Sequence, residues 1–221
     1  MQIKELFNRF DDLQKIYGDK NLDAVYGAGQ INNPQICLVF MNPTGRNISS
    51  NKRWEGLKAP WLGTKNIWKM LYQLNFIDNL LFNEINEKKS NEWDYDFSEK
   101  VYKSVKDNSV YITNLSKATQ IDARPLKNAV FRKYLDLFRE EINIIKPKLI
   151  ITFGNQVSSI LLNKNIKVSN YRKKYEFYNN IKVFPVYYPI GQGMRNFVKV
   201  KEDITWIMSH FKLKNQENPG L

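Results

Sequence analysis

The chain has 221 residues, with 34 Lys and Arg against 22 Asp and Glu, a formal net charge of +12, one Cys and one His. That length suits one α/β domain, 1–221, with a full core, and no run of about 18 apolar residues marks a membrane span. The lone Cys37 excludes an intrachain disulfide or a cysteine-held iron–sulfur cluster, and the lone His210 builds no zinc site by itself, so no metal and no cofactor is expected.

The N-terminal stretch MQIKELFNRFDDLQKIY lacks the uninterrupted apolar centre of a signal peptide and reads as an amphipathic helix over residues 1–18. A cytoplasmic protein, in a prokaryotic cytosol, and a monomer are expected. ICLVFM (36–41) is the first of four short apolar runs with strand character, followed by SVYITN (109–114), KLIITF (148–153) and IKVFPV (181–186). Each is apolar almost throughout, as strands covered on both faces are. Helical patterns lie between them. Residues 64–74 carry Ile67, Met70, Leu71 and Leu74 on one face, with Thr64 as the N-cap. Residues 128–145 repeat Phe131, Leu135, Phe138 and Ile142 at helical spacing, and Pro147 stops the pattern. Gly154 turns the third strand into a helix bearing Val157, Ile160 and Leu161, and a last helix runs over about residues 197–211. YEFYNNIKVFPV adds a hairpin, turning at Asn179-Asn180. The alternation predicts a three-layer α/β/α sandwich around a central four-stranded, mainly parallel sheet.

In such a sheet, ligands collect beyond the carboxyl ends of the strands. Those ends read MNPTGRN (41–47), NLSKA (114–118), GNQ (154–156) and YYPIGQG (187–193). Singly, each is an ordinary turn or capping signal. In this order they resemble the uracil-DNA glycosylase superfamily, over about residues 34–196. FMNPTG is similar to the Asn-Pro form of the first motif, and EGLKAPWLGTKNIWKML (55–71) to the loop and helix of the thermophile-type branch, with Pro60-Trp61 in the place of a Pro-Phe pair. VYITNLSKA resembles a strand ending in Asn-x-x-Lys, KPKLIITFGNQVSSILL the strand–Gly–helix unit after it, and VYYPIGQGMRN stands where the final His-Pro-Ser motif and its Arg belong. The chain departs from that branch in lacking its four cysteines, and from the superfamily motifs in having Tyr188 for the final-motif His, Ile190 for the Ser and Phe40 for the first-motif Gly.

The resemblance implies a DNA repair enzyme that hydrolyses the N-glycosidic bond of uracil or another deaminated base flipped out of DNA. Trp61 is then the stacking platform for the base, or else a core aromatic. Asn114 reads the base, its carboxamide accepting from uracil N3–H and donating to O4. Asn42 holds the water. Tyr188 carries a neutral phenol that would donate to the departing base, with Gln192 or a glycine N–H as the alternative donor; its other reading is a packed strand-end residue in an inactive homologue. Met41 joins Trp61 and Asn114 at the base. Gly45, Arg46, Lys117, Gly191, Gln192, Gly193 and Arg195 are expected to contact DNA, single- or double-stranded, and Lys52, Arg53, Lys58 and Lys65 add to the same cationic rim. Two other readings stand beside this one: a nucleic-acid-binding homologue without chemistry, and a nucleoside hydrolase. The basic balance also has a plain source, the Lys-, Asn- and Ile-rich usage of AT-rich genomes.

Overall fold

In a computed structural model, which describes residues 2–123 and 126–213, six strands form one mixed sheet. They are β1 (Ala28–Gly29), β2 (Ile36–Phe40), β3 (Val110–Asn114), β4 (Leu149–Phe153), β5 (Glu176–Tyr178) and β6 (Ile181–Val186), in the order β1-β3-β2-β4-β6-β5. The four expected strands are the central four and run parallel: β2 pairs with β3 and β4, and β4 with β6. The sheet is larger than expected because an antiparallel strand closes each edge, β1 on β3 and β5 on β6. The β5–β6 turn is the one predicted; Asn179 and Asn180 both take positive φ (47° and 64°), as a two-residue hairpin of right-handed strands requires.

Every position of β2, β3 and β4 is buried, since helices cover both faces. Odd and even residues go to different layers. Ile36, Leu38 and Phe40 face a cluster built with α2 (Asn66–Gln73), α3 (Asn79–Glu87), α4 (Tyr95–Asp107) and α9 (Phe197–His210). Cys37 and Val39 face a second cluster built with α5 (Asn128–Lys133), α6 (Leu135–Ile145) and α7 (Asn155–Leu162). Helix α1 (Glu5–Tyr17) lies outside that layer, with Leu6 and Phe10 against Tyr134 and Leu137. The short α8 (Val168–Tyr171) leads into β5.

Three details differ from the sequence expectation. Thr64 caps no helix, because its hydroxyl donates to the Trp61 carbonyl at 2.7 Å instead. The 128–145 helix is two helices, broken at Tyr134, whose N–H bonds back only three residues to Phe131 and whose ring is buried under α1. The N-terminal helix begins at Glu5, and Met1 and residues 214–221 of the expected single domain lie outside the described residues.

Candidate active site

The ends of β2 and β3 are held together beyond the sheet. Phe40 lies opposite Asn114 in the parallel ladder. Leu115 N–H then bonds Phe40 O (2.8 Å), Ser116 N–H bonds Met41 O (3.0 Å), and Gln120 N–H bonds Pro43 O (3.1 Å). The two loops therefore continue the strand pairing, and Asn42 is fixed beside Asn114. Asn42 Nδ2 donates to Pro43 O at 3.1 Å, which leaves its Oδ1 available. Asn114 is almost wholly buried, yet among the described residues its carboxamide has no hydrogen-bond partner. That amide opens onto the cavity, whereas Trp61 Nε1 is enclosed without a partner among the described residues, which is costly unless something else satisfies it.

The opposite wall is Trp61. Its φ is +68°, a left-handed conformation that strains a bulky side chain. The neighbouring chain over-determines that geometry. The Trp61 carbonyl accepts from Thr64 N–H (3.1 Å), Thr64 Oγ1 (2.7 Å) and Trp68 Nε1 (3.2 Å). Just before it, Tyr102 donates to Pro60 O at 2.7 Å, and Ala59 O accepts from Asn47 Nδ2 (2.8 Å) and Ser49 Oγ (2.9 Å). Phe40 is the floor. It stacks on Phe153 at 4.3 Å and meets the rings of Trp61 and Tyr188 edge-on at 5.0 and 6.4 Å. The ring that replaces a glycine at the first motif thus props both aromatic walls.

Tyr188 closes the site from the end of β6. Burial pushes its phenol up to about 12, so it is a neutral O–H donor at pH 7, and among the described residues that hydroxyl has no hydrogen-bond partner. The loop behind it needs its glycines. A Cβ on Gly193 would fall 1.9 Å from the Tyr188 carbonyl oxygen, and Gly191 sits at φ +59°.

Asn42, Asn114, Trp61 and Tyr188 line one cavity of about 150 Å³, with Pro43, Thr44, Arg46, Asn47, Pro60, Thr64, Asn66, Ala123 and Ile190. Among the described lining residues there is no Asp, Glu or His. The cavity offers amides, one phenol, one guanidinium and an indole, which orient and stabilise charge rather than abstract protons. It has the concave, mostly apolar character of a small-molecule pocket with a few convergent polar groups. The sequence model of the uracil DNA glycosylase superfamily matches residues 26–210.

The chain belongs to the uracil DNA glycosylase superfamily. A comparison with curated proteins finds no match. Within this superfamily member, the tertiary structure redistributes several of the expected roles. Met41 is not in the cavity lining: it lies just past the end of β2, and its side chain packs against the opposite layer, the one that holds Val39. Lys117 is not a DNA contact. It is fully buried, its ammonium bonded to Glu141 Oε2 (2.6 Å), Thr113 Oγ1 (2.7 Å) and the Asn114 carbonyl (2.6 Å), above the rings of Phe10 and Phe138. Glu141 in turn accepts from Tyr111 (2.8 Å) and Thr113 (2.9 Å).

Gly191, Gln192, Gly193 and Arg195 lie on the turn after Ile190, outside the cavity lining, with Gln192 and Arg195 exposed, so Tyr188 rather than Gln192 supplies the lining donor. Gly45 and Arg46 are exposed at the mouth, Arg46 inside the lining. Sequence reasoning missed Asn47, Tyr102 and Glu141. The available signal for Glu141 was a carboxylate on the apolar stripe of Phe138, Ile142 and Ile145. Among the described residues no group of His, Cys, Asp and Glu could hold a metal ion, and no helix is long and apolar enough to cross a membrane.

Proposed function

We propose that this protein is a DNA glycosylase that excises uracil or another deaminated base by direct hydrolysis. The single observation that carries the reading is the convergence of Asn42, Asn114, Trp61 and Tyr188 on one cavity. The extruded base lies against Trp61, and Asn114 offers N3–H an acceptor and O4 a donor from one amide. As the glycosidic bond breaks, its electron pair leaves with the base, and the Tyr188 hydroxyl donates to O2 as negative charge gathers there. The sugar becomes cationic. Asn42 Oδ1 accepts a hydrogen bond from a water and turns its oxygen toward the anomeric carbon; the water's second proton passes to solvent after attack. With no carboxylate in the lining, rate enhancement comes from positioning and charge stabilisation.

The test is release of free base from uracil-containing oligonucleotides, single- and double-stranded, with Asn42→Ala as control. Release is expected from the parent protein, and Asn42→Ala is expected to lower it on the order of 10²-fold, the cost of a misplaced reactant. If uracil, hypoxanthine and xanthine all stay attached while DNA still binds, the protein is a binding homologue and the enzyme reading is wrong.

A further inference from the structure

A second, larger cleft of about 730 Å³ opens beside the base cavity, lined by Arg46, Arg53, Trp54, Asn51, Ser90 and Trp93 among others. Arg46 and Thr64 line both spaces, so the two are continuous at the rim. None of the described cleft residues is Asp or Glu, in a chain that has 22 of them. Arg46 and Arg53 are exposed, and among the described residues neither guanidinium has an ion-pair partner. Two other cations of the same loop are already used: Lys58 bonds Asp23 at 2.7 Å, and Lys65 bonds the Asn86 carbonyl. Two free guanidiniums with no opposing carboxylate fit phosphate oxygens, which they take in bidentate fashion. Trp54 is held in place, its indole N–H on Leu57 O at 3.1 Å and Gly56 so close that a Cβ there would lie 2.6 Å from the ring. A fixed indole gives stacking area at little further entropic cost.

We propose that this cleft is a subsite for the nucleotide adjacent, in the same strand, to the extruded one, with Arg46 and Arg53 on its phosphates and Trp54 against its base. The proposal rests on the strand substrate of the preceding section and deepens it: the protein engages two consecutive nucleotides, not one. In a duplex that means a second unstacking cost.

The experiment measures binding, not turnover. The probe is a seven-nucleotide single strand with one central uridine carrying a 2′-fluorine that resists hydrolysis, followed by fluorescence anisotropy. Each neighbour of the uridine is replaced in turn by a tetrahydrofuran spacer that keeps the phosphates and removes the base. One of the two replacements is expected to weaken binding roughly tenfold or more, the scale of a lost base–aromatic stack. Trp54→Leu is expected to erase that sensitivity. Arg53→Ala, at an exposed position that leaves the core untouched, is expected to reduce the salt slope of binding by about 0.7. Less than a twofold effect from both spacers overturns the subsite, and an unchanged salt slope for Arg53→Ala removes Arg53 from it. Base release from the unfluorinated strand is scored separately. Release without spacer sensitivity removes this inference and leaves the glycosylase, whereas spacer sensitivity without release removes the glycosylase and leaves the subsite.

Discussion

Tyr188 and the histidine it replaces are different acids, and the difference is measurable. An unperturbed imidazole titrates near 6.5, whereas the Tyr188 phenol, desolvated beside Phe40, stays protonated until about 12. The donor is the protonated form, so its contribution is present at every pH below that value and is lost only as pH rises through it. Base release by the parent protein is therefore expected to show no limb from this group between pH 6 and about 11. Tyr188→Phe is expected to lower the rate roughly 10²- to 10³-fold, the cost of one preorganised donor, with DNA binding retained; a Phe variant with parental rates would remove Tyr188 from the mechanism. Lys117 carries a different prediction. Replacing it by Met leaves Glu141 charged and buried, so unfolding in urea is expected to show a loss of about 3–5 kcal/mol, and adding Glu141→Leu should return part of it. The places of Asn42 and Asn114 at strand ends and of Trp61 before a helix were legible from the apolar periods, while their candidate roles came from the family resemblance. Lys117 was not, because nothing local to Asn-x-x-Lys says that a carboxylate on α6 lies above it.

Elements with a strong period were readable and those defined by caps were not. The four central strands, α2, α7 and α9 announce themselves as continuous or 3.6-periodic apolar sets, and the hairpin by its Asn-Asn turn. Helices α3 and α4 escaped notice even though Asp78 and Asp94 accept from Leu81 N–H and Phe97 N–H at 2.8 Å, as N-caps do. The glycines of the loop after β6 are expected from sequence to contact DNA. The loop's own requirement is stricter, since Gly193 lies against the Tyr188 carbonyl. Gly193→Ala is expected to cost about 1–3 kcal/mol of stability as an overpacked site, and to lower base release by displacing Tyr188. A thermal melt and a rate measured on the same preparation check both halves. Helix α1 braces a loop that leads from the site: Gln14 bonds the carbonyls of Asp19 (3.0 Å) and Leu22 (2.8 Å) and accepts from Thr119 N–H (2.7 Å), so it ties the N-terminal segment to the loop after Asn114.

At the scale of the whole molecule, the net charge of +12 has a distribution that composition alone left open. Arg46, Arg53 and Arg195 stand exposed near the cavity without carboxylate partners among the described residues, while Lys58 and Lys117 are paired away from it. DNA affinity is expected to fall linearly in log–log form with salt, by about 0.9 per phosphate on a duplex and 0.7 on a single strand, with turnover at saturating DNA little changed; salt-insensitive binding would mean that these cations meet no phosphate. The sequence by itself determined the α/β architecture, the parallel core and the strand ends that line the candidate site, because hydrophobic period and strand-end turns are local properties of a chain. Only the tertiary structure decided which cations face solvent, that Met41 points to the opposite layer, that two edge strands enlarge the sheet, and that Phe40 supports Trp61 and Tyr188. Those outcomes depend on partners dozens of residues away, and burial is a property of the packed whole.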